Sequence, residues 1–439
     1  MIVARTTAIC NRCNASHDAE IVRREDCMVG VVNCPAGPCE YSISSDAELY
    51  LQLRGRCFVD PGEAPPLDPR NVLNYISITN ACNFHCAICG ANAKYDGQEP
   101  VFLSTEEICR RATEVKRRGG RLLHLIGGEP TLHTDLLPIV RRLRHMGFSV
   151  GMVTNGYLLG TDESLVRRLK AHGLARVCMQ FDSFDERVLE RYDRSHLEEK
   201  RRAIRHVIDT GLKLGLNATV TRHNLPELAA LLEHGLELGP AVVNMTFASA
   251  APVGRYHLTP QESVDRESMV TALLRAGSKY HFSLDDVMPL PSYAPWRLQV
   301  HPDCGVHIVL VRTPRGIWPL NYFVDLWEIY RRMHESWRRR KFRASRIGPV
   351  AYLLGGIRKA RWRDSLRVAT ALLLRRPGYG IVNVGVSNYH GAVFLDEQRI
   401  TRCASAFYTS VGPVKGCLHF FRDAQFPGSR EYEVLHGSC

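Results

Sequence analysis

The sequence predicts an α/β fold built around a partial (β/α)6 barrel. Between about residues 75 and 300, six short apolar runs typical of buried strands alternate with amphipathic helical segments, which is the pattern of a parallel sheet. Polar or glycine-rich turns follow several of these runs, where the carboxyl ends of barrel strands would form a site. We therefore predict a cysteine-rich region (1–45), a Pro-rich linker (46–74), the barrel (75–300) and a C-terminal region (301–439).

The strand–helix alternation begins with "YISIT", the first predicted strand. Ser104 and Glu107 predict a capping box at the start of the next helix, which Gly119 and Gly120 end. The following strands are predicted at "RLLHLIG", "SVGMVTNG", "RVCMQFD", "LKLGLNATV" and "AVVNMTFAS". Because six such units are fewer than the eight that close a full barrel, we predict an incomplete one.

The composition is that of a globular protein with metal chemistry. The chain has 439 residues, of which 45% are apolar and 23% charged. It shows no apolar signal core and no stretch approaching the roughly 18 apolar residues of a membrane span. We expect a cytoplasmic protein, and in that compartment the 15 cysteines argue for metal or iron–sulfur sites rather than disulfides.

Positive charge is concentrated in one segment. Residues 331–376 contain 15 Lys and Arg against only Glu335 and Asp364, whereas the whole chain has a net charge of +12. Trp337 and Trp362 lie in the same segment. Basic helices with tryptophans suit an anionic membrane surface, here the inner face of the membrane, or an acidic partner. A solvated helical face packed on an ordinary core explains the pattern equally well. We expect no nucleic-acid partner.

Two pairs of cysteines near the N-terminus predict a mononuclear zinc or iron site. "CNRC" and "CPAGPC" each present two thiols, as the knuckles of zinc ribbons and rubredoxins do. Cys27 lies between the pairs and could replace one ligand, and chance cysteines are the alternative explanation. The predicted ligands are Cys10, Cys13, Cys34 and Cys39.

Three further cysteines, Cys82, Cys86 and Cys89, follow the first predicted strand in "NACNFHCAICG". Their spacing allows them to bind three irons of a 4Fe–4S cluster and leaves the fourth iron open. A structural zinc site needs a fourth ligand, and ferredoxin loops bring a fourth cysteine. The open iron is therefore predicted to bind a small molecule.

This cysteine spacing after a first strand resembles that of the radical S-adenosylmethionine (SAM) superfamily. "GGEP", "TNG" and "QFD" at the ends of the next three strands agree with the resemblance. It implies that the open iron chelates the amino and carboxylate groups of SAM, and that Ile88 stands where an aromatic residue often lies against adenine. The implied cofactor-binding residues are Ile88, Gly127, Gly128, Glu129, Pro130, Thr154, Asn155, Gly156 and Asp182.

Several other stretches resemble the class D radical SAM methyltransferases and tetraether-lipid synthases. They are "FASAAPVGR", "MPLPSYAP", "HPDCG" and "RITRCASAFYTSVGPVKGC". The group carries a further cysteine-rich loop before the triad, where this chain has only Cys57, so one auxiliary cluster is expected to be missing. Cys304, Cys403 and Cys417 are left as ligands of another auxiliary 4Fe–4S cluster, with Cys57 or Cys439 as the fourth; buried free thiols are the alternative.

The resemblance implies reductive cleavage of SAM to a 5′-deoxyadenosyl radical, with electrons from flavodoxin or ferredoxin. We expect this radical to functionalise an unactivated C–H bond of a hydrophobic, lipid-like substrate, by C–C bond formation or methylation. Modification of a peptide or other natural product is the alternative, and a non-catalytic iron–sulfur sensor fits the complete motifs less well. No further catalytic side chain is expected: His124, His133 and His223 are interpreted as structural hydrogen-bonders, and Cys109 and Cys178 as packing residues.

Overall fold

The computed structural model describes residues 1–10, 12–13, 15–56, 73–93, 99–251, 253–289, 301, 303–338, 356–358, 361–388, 394–403, 405–410 and 412–416. These residues form a five-stranded sheet, an eleven-stranded sheet and a two-stranded ribbon. Among them, no helix has the length and hydropathy needed to span a bilayer.

The N-terminal region is an antiparallel sheet. Its strands are β1 (Ile2–Ile9), β2 (Ser16–Arg24), β3 (Cys27–Val32) and β4 (Cys39–Ser44), followed by helix α1 (Ala47–Gly55). The Asp46 carboxylate caps α1 by accepting from the Leu49 N–H at 2.9 Å. The short strand β16 (Leu395–Asp396) pairs with β1. The N-terminal sheet is therefore completed by the C-terminal region.

All six predicted barrel strands are present, parallel and adjacent in chain order, which confirms the predicted core. They are β5 (Leu73–Thr79), β7 (Leu122–Gly127), β8 (Ser149–Thr154), β9 (Leu174–Gln180), β10 (Lys213–Val220) and β11 (Val242–Ser249). The connecting helices are α2 (Thr105–Arg117), α3 (Leu136–His145), α4 (Tyr157–Thr161), α5 (Glu163–Ala171), α6 (Glu186–Arg191), α7 (Leu197–Asp209) and α8 (Leu228–Glu237).

The start of α2 differs in one detail from the predicted capping box. The Ser104 hydroxyl accepts from the Glu107 N–H at 3.2 Å, as predicted. The Glu107 carboxylate, however, accepts from Arg110 and Arg111 on the same helix. Two charged donors one turn further on form stronger hydrogen bonds with a carboxylate than the neutral N–H of Ser104 would.

The C-terminal region supplies both edges of the large sheet. At one edge, β15 (Gly380–Ser387) runs parallel to β11, followed by antiparallel β13 (Gly305–Thr313) and β14 (Gly316–Pro319). At the other edge, β17 (Ser405–Thr409) runs parallel to β5 and pairs with β18 (Gly412–Lys415). The sheet thus contains eight parallel strands rather than six. The alternation of strands and helices in the sequence ends near residue 300. The last two parallel strands, β15 and β17, are not preceded by regular strand–helix units, so the alternation does not reveal them.

The remaining elements lie around the barrel. The ribbon pairs β6 (Ile88–Cys89) with β12 (Arg255–Tyr256). The other helices are α9 (Arg266–Leu274), α10 (Gly277–Tyr280), α11 (Leu326–Arg338), α12 (Trp362–Leu373) and α13 (Glu397–Thr401). Short 3-10 turns span Pro130–Leu132, Leu225–Glu227, Pro260–Glu262, Leu284–Asp286 and Leu320–Tyr322. One apolar core joins the strands to the surrounding helices.

Candidate active site

A cavity of about 310 Å³ lies at the carboxyl ends of the barrel strands. All three triad cysteines, Cys82, Cys86 and Cys89, line it. It is also lined by five of the predicted cofactor-binding residues: Ile88, Gly127, Gly128, Thr154 and Asn155. The other four predicted residues do not line it: Glu129, Pro130, Gly156 and Asp182. The structure therefore brings together the triad loop and the ends of β7 and β8, and gives the other four predicted residues different surroundings.

Gly127 and Gly128 are required by the close approach of two backbone segments. Gly127 has a φ of +148°, and a Cβ atom at this position would lie 2.1 Å from the Thr79 carbonyl oxygen. A Cβ atom at Gly128 would lie 2.0 Å from the Ala81 carbonyl oxygen. The Gly128 N–H donates to Thr79 O at 2.8 Å, and the Glu129 N–H donates to Ala81 O at 2.7 Å. The glycines thus allow the turn after β7 to bind the start of the cysteine loop.

Glu129 connects the turns that follow β7 and β8. Its buried carboxylate accepts from the Thr131 hydroxyl at 2.6 Å, the Thr131 N–H at 3.1 Å, the Thr154 hydroxyl at 2.7 Å and the Asn155 N–H at 2.8 Å. Burial raises the pKa of Glu129, and the four donors act in the opposite direction. Glu129 therefore positions the backbone beside the cavity. Pro130 begins the 3-10 turn, and Gly156, with a φ of +84°, precedes α4.

Asp182 contacts a cation that the sequence analysis missed. Its carboxylate accepts from the Thr219 N–H at 2.7 Å, the Gln180 amide at 2.5 Å and Arg194 at 3.1 Å. Arg194 also donates to the carbonyl oxygen of Ile88 and lines the cavity. Its buried Nε atom has no acceptor among the described residues. Nothing in the local sequence distinguishes Arg194 from the other arginines of α6 and α7.

A second buried arginine, Arg255, contacts the cysteine loop from the "FASAAPVGR" stretch. Its Nε atom donates to the Cys86 carbonyl oxygen at 2.5 Å and its Nη1 atom donates to the Ala93 carbonyl oxygen at 3.0 Å. Arg255 is also paired with Cys89 in the β6–β12 ribbon. The stretch that resembles class D sequences therefore contains a residue, Arg255, that holds the cysteine loop in place.

The triad thiols lie beside the cavity, and burial favours the protonated form of Cys82 and Cys86 in the absence of a metal. Burial raises the pKa of Cys82 to about 12. Burial also raises the pKa of Cys86, although the positive charge of Arg194 acts to lower it. Thiolates are the metal-binding form, so cluster assembly has to release protons from these groups. Three thiols beside an open cavity, with no fourth cysteine among the described residues that line it, fit a 4Fe–4S cluster with one open iron.

Polar residues form part of the inner face of the barrel. Residues paired in register on parallel strands project to the same face of the sheet. Gln180 and Asn217 line the cavity, so the residues in register with them on the next strands, Thr246 and His307 among them, face the barrel interior as well. Asn244 precedes Thr246 by two residues on the same strand and is paired with Asn383, so both of these face the same side. We call the following residues the polar inner face: Gln180, Asn217, Asn244, Thr246, His307 and Asn383.

Hydrogen bonds connect most of the polar inner face. The Asn383 amide donates to the Asn244 amide oxygen at 3.1 Å and lies 3.4 Å from Nδ1 of His307. The Asn244 amide donates to the Thr246 hydroxyl at 2.9 Å. Burial lowers the pKa of His307 to about 3, so this imidazole is neutral at physiological pH. The interior therefore offers amide, hydroxyl and imidazole groups, which the strand pattern alone did not reveal.

The three histidines near strand ends do not line the cavity. His133 contacts the Leu103 carbonyl oxygen at 2.9 Å and accepts from the Asp135 N–H at 3.1 Å. His223 lies 3.1 Å from the Glu262 carboxylate. His124 is buried and stacks on Tyr75 at a centroid distance of 5.4 Å. These contacts agree with a structural hydrogen-bonding role for His133 and His223. The buried Nδ1 atom of His124 has no hydrogen-bond partner among the described residues, so His124 packs by ring stacking rather than by the predicted hydrogen bond.

Three of the four predicted N-terminal ligands, Cys10, Cys13 and Cys34, have sulfur atoms within 4.8 Å of one another, and the fourth, Cys39, lies beside Cys10. The Sγ atoms of Cys10 and Cys39 lie 3.8 Å apart, as do those of Cys13 and Cys34. A tetrahedral site with metal–sulfur bonds of about 2.3 Å requires sulfur–sulfur distances of about 3.8 Å. The thiols are therefore spaced for a single zinc or iron ion. His17, whose Nε2 atom lies 3.0 Å from the Cys13 sulfur, is an additional neighbour that the sequence analysis missed.

We expect the full-length protein to bind one mononuclear metal ion at these four thiols. Cys10→Ser or Cys39→Ser should remove this ion, measured by elemental analysis after chelation of the more labile iron–sulfur iron. Cys27→Ser is the matched control and should retain the ion, because the Cys27 thiol donates to the Arg24 carbonyl oxygen at 3.1 Å instead of joining the cluster. Equal metal content in Cys10→Ser and wild-type protein would contradict the assignment.

Two of the three predicted auxiliary-cluster ligands are described. Burial raises the pKa of Cys304 to about 11, and the nearby Cys403 acts in the same direction. A Cβ atom added at Gly416 would lie 3.5 Å from the Cys403 sulfur. Cys417, which follows Gly416, lies outside the described residues, as do Cys57 and Cys439. Cys304 and Cys403 are thus close together, and the auxiliary cluster stays a prediction.

An incomplete α/β barrel with three thiols beside a cavity at its strand ends is the architecture of a radical SAM enzyme. Residues 76–235 match the sequence profile of the Radical SAM superfamily, so this part of the chain is a Radical SAM domain. The 7,8-dihydro-6-hydroxymethylpterin dimethyltransferase of Methanocaldococcus jannaschii is 26% identical over 366 residues, which are 73% of this chain and 71% of that protein. Together these findings support an enzyme of the transferase type.

Other relatives share a smaller part of the chain. The probable GTP 3′,8-cyclase of Sulfurisphaera tokodaii is 35% identical over 182 residues. This alignment spans 41% of the present chain and 56% of the cyclase. The structure of Streptococcus suis SuiB bound to precursor peptide SuiA aligns with a TM-score of 0.42 and 15% identity, covering 49% of this chain and 48% of that one.

Proposed function

We propose that this enzyme methylates, or forms a C–C bond at, an unactivated carbon of a substrate that carries several hydrogen-bonding groups. The polar inner face is the observation that carries this proposal. Asn244, Thr246, His307 and Asn383 hydrogen-bond to one another, but an Asn side chain has two donors and an oxygen with two lone pairs, more than these bonds use. A purely aliphatic chain packed against this network would leave the remaining donors and acceptors unpaired, which costs about 1–3 kcal/mol for each buried group. The relative named as a pterin dimethyltransferase supports a polar ring as the bound part. The proposal replaces the expected lipid tail with a polar ring or head group inside the barrel.

Each side chain at the cavity has a proposed role. A 4Fe–4S cluster bound by Cys82, Cys86 and Cys89 would supply the electron that cleaves SAM, and flavodoxin or ferredoxin would supply that electron to the cluster. Arg194 presents a buried guanidinium with one free donor, which suits a carboxylate such as that of the methionine moiety of SAM. Ile88 offers an apolar surface to a planar group. Cys304 and Cys403 would hold part of an auxiliary cluster.

The proposal is tested with the double variant Asn244→Leu/Asn383→Leu. We expect binding of 6-hydroxymethyl-7,8-dihydropterin to the SAM-loaded wild-type enzyme, and binding at least about a hundredfold weaker in the variant, because one buried and one half-buried hydrogen-bonding group are lost. SAM cleavage without substrate should be unchanged in the variant. The measurements are fluorescence titration and mass spectrometry of the pterin product. Alkylation of a dialkyl lipid with no binding of the pterin would contradict the polar-substrate proposal while leaving the radical SAM assignment intact.

A further inference from the structure

Helix α12 has two apolar faces. One face contains Ser365, Val368 and Ala371, which are buried against the C-terminal part of the fold. The opposite face exposes Trp362 by 53%, Leu366 by 50% and Leu373 by 83%. At 100° per residue these three positions fall within about 40° of one another, so they form one stripe along the helix. Leu374, 62% exposed, follows directly after the helix. An amphipathic helix that only packs on its own core would have polar residues on this side.

The arginines beside this stripe lack the ion pairs that many exposed arginines of the barrel helices form. On those helices Arg110 pairs with Glu107, Arg117 with Glu114, Arg167 with Glu163 and Arg201 with Glu198, each three or four residues away. Arg141, Arg144 and Arg205 are barrel-helix arginines that, among the described residues, have no such pair. Near α12, within the described part of the chain, no carboxylate lies within 4 Å of any of the five exposed arginines. These are Arg361, Arg363, Arg367, Arg375 and Arg376. Arg361 and Arg363 instead lie over the rings of Tyr322 and Trp362.

Charge argues against two occupants of the stripe, the neighbouring segment 339–355 and a second copy of the chain. Residues 339–355 of the same chain carry five Lys or Arg and no Asp or Glu, so this segment would be repelled by the five arginines. A second copy would bring the same positive charge to the contact. An anionic lipid surface satisfies both features, because acyl chains accept the tryptophan and leucines and the head groups accept the arginines.

We propose that the face of α12 formed by Trp362, Leu366 and Leu373, with the flanking arginines, is a docking surface for an anionic lipid bilayer. This inference assigns the peripheral membrane contact, expected for residues 331–376 as a whole, to one helix face. It does not depend on which substrate the barrel binds. Tryptophan and leucine would provide a contribution that salt does not remove, whereas the arginines would provide one that salt screens.

The test uses the full-length protein and sedimentation with vesicles of phosphatidylglycerol and phosphatidylcholine. We expect binding that increases with the phosphatidylglycerol fraction and decreases with salt. Arg363→Gln/Arg367→Gln should weaken binding about thirtyfold, since each arginine near an anionic surface contributes about fivefold. Arg167→Gln/Arg201→Gln, which removes the same charge from ion-paired arginines on α5 and α7, is the matched control and should change binding less than threefold. Trp362→Ser/Leu373→Ser should abolish the binding that persists at high salt.

Three results would overturn the proposal: no binding of wild-type protein to phosphatidylglycerol vesicles at low salt, equal weakening in the control variant, or a dimer in solution that Trp362→Ser/Leu373→Ser dissociates. Circular dichroism and SAM cleavage are measured for every variant. Because these substitutions lie on the surface of α12, both readouts should equal those of the wild type. Loss of vesicle binding with intact SAM cleavage therefore concerns the docking surface alone.

Discussion

Cys86→Ala is expected to abolish reductive cleavage of SAM, with 5′-deoxyadenosine falling below detection. The reason is that Cys82, Cys86 and Cys89 are the only cysteines among the described residues that line the cavity, so no other thiol can take over the lost ligand there. The fold should persist, because the loop is also held by the β6–β12 ribbon and by Arg194 and Arg255. Cys82→Ala and Cys89→Ala should behave in the same way.

The measurements are iron content, the absorption and electron paramagnetic resonance of the reconstituted cluster, and 5′-deoxyadenosine formation with a strong reductant. Cys109→Ala is the matched control: this cysteine lies on α2 outside the cavity, so its variant should cleave SAM at the wild-type rate. If any of the triad variants still produces 5′-deoxyadenosine, the assignment of that cysteine is wrong.

Glu129→Ala is expected to lower the free energy of unfolding by about 3–5 kcal/mol. The substitution leaves four donors from Thr131, Thr154 and Asn155 without an acceptor in a fully buried place, and each buried unsatisfied group costs about 1–3 kcal/mol before relaxation. Glu129→Gln should have a smaller effect, since its amide oxygen can still accept from Thr131 and Thr154 while its NH₂ group opposes the Asn155 N–H.

Urea denaturation followed by circular dichroism measures this effect, and SAM binding should weaken in parallel because Thr154 and Asn155 line the cavity. Glu190→Ala, at an exposed position of α6, is the matched control and should change the free energy of unfolding by no more than about 0.5 kcal/mol. A Glu129→Ala protein as stable as this control would show that Glu129 does not connect the two turns.

The sequence by itself determined the features that depend only on residues close to one another along the chain. Six barrel strands could be located because burial on one or both faces imposes a local apolar pattern on each of them. The triad could be identified because Cys82, Cys86 and Cys89 lie in one loop, so their spacing alone limits what they can bind. The N-terminal pairs were recognisable for the same reason, although only the sheet shows that Cys10 and Cys39 meet at 3.8 Å.

Only the tertiary structure decided which side chains surround the triad and what they contact. Arg194 and Arg255 donate to backbone carbonyl oxygens of a loop more than 100 residues away in the chain, and a carbonyl group carries no sequence signal. Glu129, which the resemblance places at the cofactor, is a buried acceptor for two turns, and its contact with a cofactor stays a prediction. The polar inner face joins residues from five strands, two of which enter the sheet from the C-terminal region. Such contacts depend on which strands become neighbours, and that is fixed by packing across the whole chain rather than by any local pattern.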